Sequence, residues 1–476
     1  MTEAGAPDEE TTAVRPRRRR NSIRFAKYMF PDRFARFLHK LTNAYRRYGK
    51  LDKFSILPEP EWLTNLLSTC FEASTHTEEG RSTVFTLVDR VPMLKYRRGP
   101  LAGPFIHALS ETKIEPSVEF DVQNLRRLAP AAEASNSAIM YSILSSGPPW
   151  IGQSIVGLLH LGQYDWDPLR GNDASLDAIR SSLLIRVFGP GDIAVAFGRR
   201  ILARLQHGQV VRSNVMPFKA SILEPIFEPA ILGIVTPGQW DQKGDRLPDT
   251  PQFRSAVQRW IHIALDTLLA DMKRMRHGGT VLFVPEPVHR DTNWQTLGLK
   301  VKYETSASKG LSSGVFHTSQ RQVLWDWVRR HFTKRRKRKR DSRNDWQMAQ
   351  RYEADLSAHA GLLRDGVREV AGFTAVDGAV ILSSHLTVRG WGAEIIIAEG
   401  EGPPEFDLVQ GEDARYRRTV NMTGYGTRHR SAARFVASLK GSMALVVSQD
   451  GGAKLLANVN DRLILWQNVE PSTWIG

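Results

Sequence analysis

Apolar residues recur at steps of three and four in the first patterned stretch of the chain, at Phe34, Phe37, Leu38 and Leu41 and again at Trp62, Leu63, Leu66 and Leu67. That rhythm predicts amphipathic helices up to about residue 75. From about 80 to 235 it gives way to short apolar runs separated by Gly and Pro: Ser82–Leu87, Ile155–Leu161, Leu183–Val187, Ile193–Phe197 and Ile231–Val235. Runs of this length bounded by turn residues predict strands, with a helical or mixed segment between the last two. The helical rhythm returns after Leu247-Pro248-Asp249-Thr250-Pro251, where Thr ahead of Pro opens a helix. Val257, Trp260, Ile261, Ala264, Leu265, Leu268 and Leu269 form its stripe, His277-Gly278-Gly279 ends it, and Thr280–Pro285 reads as a buried strand. Farther on, Ala379–Leu382 and Thr387–Ala398 predict a hairpin across Ser383-Ser384-His385. Arg428–Ser438 predicts a helix, Ala444–Ser448 a strand, Gln449–Gly452 a tight turn and Ala453–Val459 its hairpin partner.

This pattern predicts a two-domain α/β protein. Residues 1–22 are polar and are expected to be disordered, 23–246 form a mixed α/β domain, and 252–470 form a second domain with a mixed central β-sheet flanked by helices. Residues 286–370, which hold Trp325, Trp327 and a basic run, read as an insertion into the second domain. A hydrophobic share of 41% and a charged share of 24% are those of a globular chain. No apolar run approaches the roughly 20 residues of a membrane helix, and the N-terminus lacks the apolar core of a signal peptide, so a cytoplasmic protein without a membrane partner is expected. Cys70 is the single cysteine, which excludes an internal disulfide and a cysteine zinc site and reads as a small buried apolar residue.

The net charge of +15 changes the picture less than its size implies. Five of the positive charges lie at Arg15 and Arg17–Arg20 and seven at Lys334–Arg340. A surface that follows DNA phosphates spreads its cations over one face. Two solvated basic segments are the plainer reading; nucleic-acid binding, which rests on these runs alone, is the alternative.

Candidate chemistry is concentrated downstream. Gly426-Thr427-Arg428-His429-Arg430 sets a hydroxyl, two guanidinium groups and an imidazole at the start of a predicted helix, a compact donor set for a polyphosphate. About fifty residues earlier, Asp377-Gly378-Ala379 puts a carboxylate at the mouth of an apolar strand, where it can hold a metal ion. The two motifs, in this order, with Ser448 heading a turn after an apolar strand, resemble the diadenylate cyclase family, which condenses two ATP into cyclic di-AMP. The resemblance covers roughly 252–470 and is strongest over 372–452. It implies that Asp377 holds Mg²⁺ or Mn²⁺ and helps activate the attacking hydroxyl, and that Arg428, His429 and Arg430 are catalytic. Gly378, Ala379, Gly426, Thr427 and Ser448 join them around ATP. It also implies a homodimer with two such domains face to face, because each contributes one ATP. Gln449, where the family carries an acid, and the basic insertion depart from the pattern. They keep a second reading open, a nucleotide-sensing protein without turnover.

In the first domain, Gly147-Pro148-Pro149-Trp150, Leu159-His160-Leu161-Gly162 and Arg186–Ile193 are similar to the sensor domain called DACNV, which precedes diadenylate cyclase domains in some bacterial proteins. That resemblance implies a ligand but does not name it. His160 and Trp166 read as core residues and Asp165 and Asp167 as a loop. Gly390-Trp391-Gly392 is too short for a dinucleotide fingerprint and lies on the hairpin that would wall an adenine pocket.

Overall fold

The computed structural model describes residues 30–48, 51, 55–78, 81–89, 110–132, 137–143, 153–160, 182–198, 200–206, 208–211, 214–215, 217–235, 250–275, 277–285, 293–305, 311–335, 342–398, 403–449 and 451–471. The expected tail with its arginines, Gly147–Trp150, Asp165, Trp166, Asp167 and residues 336–340 of the second basic run lie outside the described residues, as does the side chain of His160. The chain is an α/β protein built on two mixed sheets, each with helices packed against it.

Helices α1 (Pro31–Arg47) and α2 (Pro60–Thr75) arise where the spacing predicts them, each with Pro in the first turn. A short pair, β1 (Thr77–Glu78) and β2 (Arg81–Ser82), leads into β3 (Phe85–Asp89) and β4 (Ser110–Glu119). Helix α3 (Val122–Leu128) is capped by Asp121, whose carboxylate accepts from the Asn124 amide at 2.7 Å. Strands β5 (Ser137–Ile143), β6 (Gln153–His160), β7 (Leu183–Gly189), β8 (Asp192–Phe197), β9 (Arg200–Gln206) and β10 (Gln209–Val211) complete a sheet of order β10-β9-β8-β7-β3-β5-β6-β4. Only the β3–β5 pair is parallel in that sheet. Phe34, Leu38, Leu63, Leu67 and Cys70 from the helices close over Phe85, Ile139, Ile185 and Val195 on one face. Burial pushes the Cys70 thiol pKa up, so this cysteine is inert packing.

The run Ile231–Val235 is a helix, not the expected strand. It belongs to α4 (Glu224–Val235), where Ile226, Phe227, Ala230, Ile231 and Ile234 are buried at three- and four-residue steps. A short apolar run cannot separate strand from buried helix, and here the residues before it extend the helical stripe. The strands lie instead in β9, β10 and the two-residue β11 (Asn214–Val215).

Helix α5 (Pro251–Met275) starts at Thr250, whose hydroxyl accepts from the Phe253 amide at 3.2 Å, and buries its predicted stripe from Val257 to Leu269, with Met272 one turn beyond. It delivers the chain to Gly278 (φ +66°) and the central strand β12 (Gly279–Val284). The segment read as an insertion carries β13 (Leu299–Lys300), β14 (Tyr303–Glu304) and the helices α6 (Leu311–Arg335) and α7 (Ser342–Phe373). These two helices are antiparallel: Gly314 packs on Leu363, the Thr318 hydroxyl donates to His359 O, and Arg321 pairs with Asp355. Leu311, Val315, Leu356, Leu363 and Val367 lie in one core with α4 and α5. The expected hairpin follows as β15 (Ala379–Ser383) and β16 (Val388–Ile395), then β17 (Glu405–Gln410), β18 (Arg415–Asn421), helix α8 (Thr427–Ser438), β19 (Met443–Val447), β20 (Ala453–Val459), β21 (Arg462–Gln467) and β22 (Val469–Glu470). The second sheet runs β13-β16-β15-β12-β19-β20-β21-β17-β18, with β14 beside β16. Strand alternation buries both of its faces. Val281, Phe283, Val380, Leu382, Leu445 and Trp466 meet α4–α7 on one, and Leu282, Ile381, Ala444, Val446 and Leu465 meet α8 on the other.

The two sheets are joined through β11, which pairs in parallel with β22, and through a buried ion network. Arg204 on β9 makes two 2.5 Å bonds to Asp192 and one to Glu470 of β22, and Glu470 also accepts from Lys273 Nζ at 2.7 Å. Burial lowers the Lys273 pKa and the Glu470 carboxylate opposes that shift. Among the described residues, no helix is long and apolar enough to cross a membrane.

Candidate nucleotide site

Strand register brings the two motifs to one end of the second sheet. Thr280 on β12 stands opposite Ala379 on β15 and Val446 on β19. Val446 stands opposite Lys454 on β20, and Lys454 opposite Gln467 on β21. Two residues along each strand, Leu282, Ile381, Ala444, Leu456 and Leu465 pack under Ala432, Phe435 and Val436 of α8, so the whole row faces that helix. Just beyond the row lie Asp377-Gly378, Gly278-Gly279 and Ser448-Gln449. The first turn of α8 stands over it, because Lys454 Nζ lies 3.3 Å from His429 Nε2 and His429 is buried.

Each motif residue has a local reason for its place. Gly378 (φ +114°) is required by the hairpin, since a Cβ there would lie 2.5 Å from Gly392 C and 2.8 Å from Ala393 N. It follows Asp377, which is exposed and makes no hydrogen bond or ion pair with any described residue. Ala379 begins β15 in the buried row. Arg428 leans across the start of β12: a Cβ on Gly278 would fall 2.5 Å from its Nη1, 2.9 Å from Val447 O and 3.1 Å from Gln449 N. The β12–β15 pairing begins at Thr280 and Ala379, so Gly278 and Asp377 lie in the turns that lead into these neighbouring strands. Asp377 and Arg428, separated by fifty residues of chain, therefore reach neighbouring strand ends.

The N-terminus of α8 is uncapped by any side chain. Gly426 is its N-cap, His429 N and Arg430 N donate to Gly426 O at 3.0 and 3.1 Å, and the amides of Thr427 and Arg428 open the helix. Nothing stands within 4 Å of a Cβ built on Gly424 or Gly426, so the space before the helix is open. Cations crowd this end. Arg428 is exposed with no partner among the described residues, Arg430 has a buried Nε that meets no acceptor, and Lys454 lies 5.2 Å over the Tyr425 ring. Tyr425 accepts from Gln467 Nε2; burial raises the phenol's pKa against the opposing pull of Arg418 and that hydrogen bond. Cations beside the positive end of a helix dipole repel it and one another, and an anion between them relieves the cost. Ser448 turns its hydroxyl inward, donating to Gly452 O at 2.8 Å, and so holds the turn that carries Gln449.

Lys454, Tyr425, Gln467 and Gly278 are site residues that the motifs do not contain. Lys454 leaves a trace in the sequence, a charge on an apolar strand. Tyr425 directly precedes Gly426, whereas Gln467 and Gly278 are brought in by the pairing of their strands. Trp391 of the Gly-Trp-Gly hairpin stacks between Phe373 at 4.5 Å and Tyr303 at 5.7 Å and packs on the α5–α7 side, away from α8. Among the described residues no three His, Cys, Asp or Glu side chains cluster to hold a metal ion. Asp377 alone fits a Mg²⁺ or Mn²⁺ ion whose other ligands are phosphate oxygens and water, the usual arrangement in nucleotide sites.

Residues 52–148 match the family model described as "Probable sensor domain DACNV". The match spans α2, β1–β5 and α3 in the N-terminal part of the chain. Of the stretches that resemble the family in sequence, Leu159–Gly162 and Arg186–Ile193 lie beyond the matched residues. No curated protein and no solved structure matches the chain.

Proposed function

We propose that this protein is a diadenylate cyclase whose output is set by its N-terminal sensor-type domain. The observation that carries the reading is the meeting of Asp377-Gly378 with the uncapped, cation-rich start of α8 at one end of the second sheet. In the reaction the ribose 3′-oxygen of each ATP attacks the α-phosphorus of the other. Each new O–P bond replaces a bond from the α-phosphorus to pyrophosphate, and two ATP yield cyclic di-AMP and two pyrophosphates as the hydroxyl protons leave.

The protein's part is to position the groups and to balance charge. Arg428 and Arg430 neutralise the triphosphate, and the free amides at Thr427 and Arg428 receive its oxygens. Lys454 orients His429 through its Nε2, and Asp377 stands beside the attacking hydroxyl. A bound Mg²⁺ or Mn²⁺ at Asp377 would supply the further charge neutralisation that the phosphates need. One chain binds one ATP, so two copies face each other and the active form is a homodimer. The decisive experiment is to incubate the purified protein with ATP and Mn²⁺ or Mg²⁺ and to identify the product by mass. Gln449 on the Ser448 turn favours a second reading, a nucleotide sensor without turnover; in that case ATP binds and is recovered intact.

A further inference from the structure

One polar group under α8, the Thr280 hydroxyl, is buried without a hydrogen-bond partner among the described residues. Thr280 is 3% exposed, and no described residue lies within hydrogen-bonding reach of its hydroxyl. It occupies the central strand of the sheet, between Ala379 and Val446, on the face that Lys454 and Gln467 share. Two residues before it is Gly278, over which Arg428 lies; the residue level with it on β15 directly follows Asp377-Gly378. Valine has nearly the same shape, suits a β-strand better and leaves no hydroxyl stranded in an apolar layer. The burden of a buried, unpaired hydroxyl points to a partner that is not part of the chain.

We propose that Thr280 is a ligand-binding residue of the nucleotide site, its hydroxyl donating to a phosphate oxygen of the bound ATP. The proposal rests on the nucleotide reading of this site and adds to it a contact outside both motifs. Thr280 then forms the floor of the site, Arg428 and Arg430 its walls, and the α8 N-terminus its roof. The hydroxyl is covered in the ligand-free chain, so it donates to phosphate once the side chains above it move aside; it rotates freely about its C–O bond, and the strand itself need not change.

The test is the affinity of the full chain for 3′-deoxy-ATP with Mg²⁺, which cannot condense, measured by calorimetry together with the melting temperature. Thr280→Val is expected to weaken binding about threefold to tenfold, the scale of one hydrogen bond, with a melting temperature equal to or above that of the wild type. Thr280→Ser, which keeps the hydroxyl, is expected to bind within about twofold of the wild type. Wild-type affinity in Thr280→Val overturns the proposal while leaving the nucleotide site in place. A fall in stability of Thr280→Val, or its failure to fold, overturns it as well, because the hydroxyl would then serve the fold. No binding of 3′-deoxy-ATP by the wild type overturns the nucleotide reading itself.

Discussion

Asp377 and Arg428 do their proposed work as exposed charges whose partner is the ligand, so replacing either removes function at little cost to the fold. Asp377→Asn keeps the shape and loses the charge, and is expected to abolish cyclic di-AMP synthesis with an unchanged melting temperature. Arg428→Ala is expected to lose on the order of 10² to 10³ in kcat, the scale of one preorganised donor to transition-state charge. Substantial turnover in Asp377→Asn, or a loss below about threefold in Arg428→Ala, measured as product formed per minute, contradicts these roles. At this scale the sequence is legible only where chemistry is contiguous. Asp377-Gly378-Ala379 and Gly426–Arg430 announce themselves as short motifs. Gly278 and Lys454 come beside the motifs through cross-strand register, which the motifs themselves do not encode. Gly378 was legible for a different reason from the one the structure gives: its missing Cβ admits the Gly392–Ala393 backbone.

Helix α5 shows what element-scale reading captures and what it misses. Its stripe and its Thr250-Pro251 start follow from spacing and capping alone. Its polar residues do not, since their surroundings come from α4 and the turn at Lys219. His262 is buried beside Phe227, and burial, with Lys219 adding to it, lowers its pKa to about 4. Below the ordinary histidine pKa of about 6.5 the unfolded chain takes up a proton that folded His262 refuses. The unfolded state then binds more protons, so stability falls as pH drops from about 6.5 to about 4 and rises again with pH. His262 accounts for up to about 3 kcal/mol of that loss, and His262→Gln is expected to flatten the profile relative to wild type. Urea unfolding at several pH values measures it; parallel profiles for the two proteins contradict the burial account. The same limit explains Ile231–Val235, where apolar content was legible but only the residues from Ile226 onward show the period to be helical.

At the scale of the whole molecule, Glu470 is the group on which the two sheets depend. It is buried and binds Arg204 from the first sheet and Lys273 from the last turn of α5, shortly before Gly278, over which Arg428 leans. Glu470→Gln leaves two buried cations short of a counter-charge and is expected to cost about 3 to 5 kcal/mol in unfolding free energy. A cost below about 1 kcal/mol by chemical denaturation contradicts a structural role for the network. Length and composition made two units legible; the ion network joining them was not, because its members are scattered from Asp192 to Glu470. Face-to-face assembly makes a further demand: chains carrying Asp377→Asn, mixed and exchanged with wild type, are expected to lower activity faster than the wild-type fraction falls. Activity proportional to that fraction means that one chain completes the reaction alone.

Cyclase activity at Asp377 is tested by a side-by-side product analysis of wild type and Asp377→Asn with ATP and Mn²⁺, quantifying cyclic dinucleotide by mass and pyrophosphate by release. Cyclic di-AMP is expected from the wild type, with two pyrophosphates for each cyclic product and neither species from the variant. ATP bound by the wild type but recovered unchanged would contradict cyclase activity.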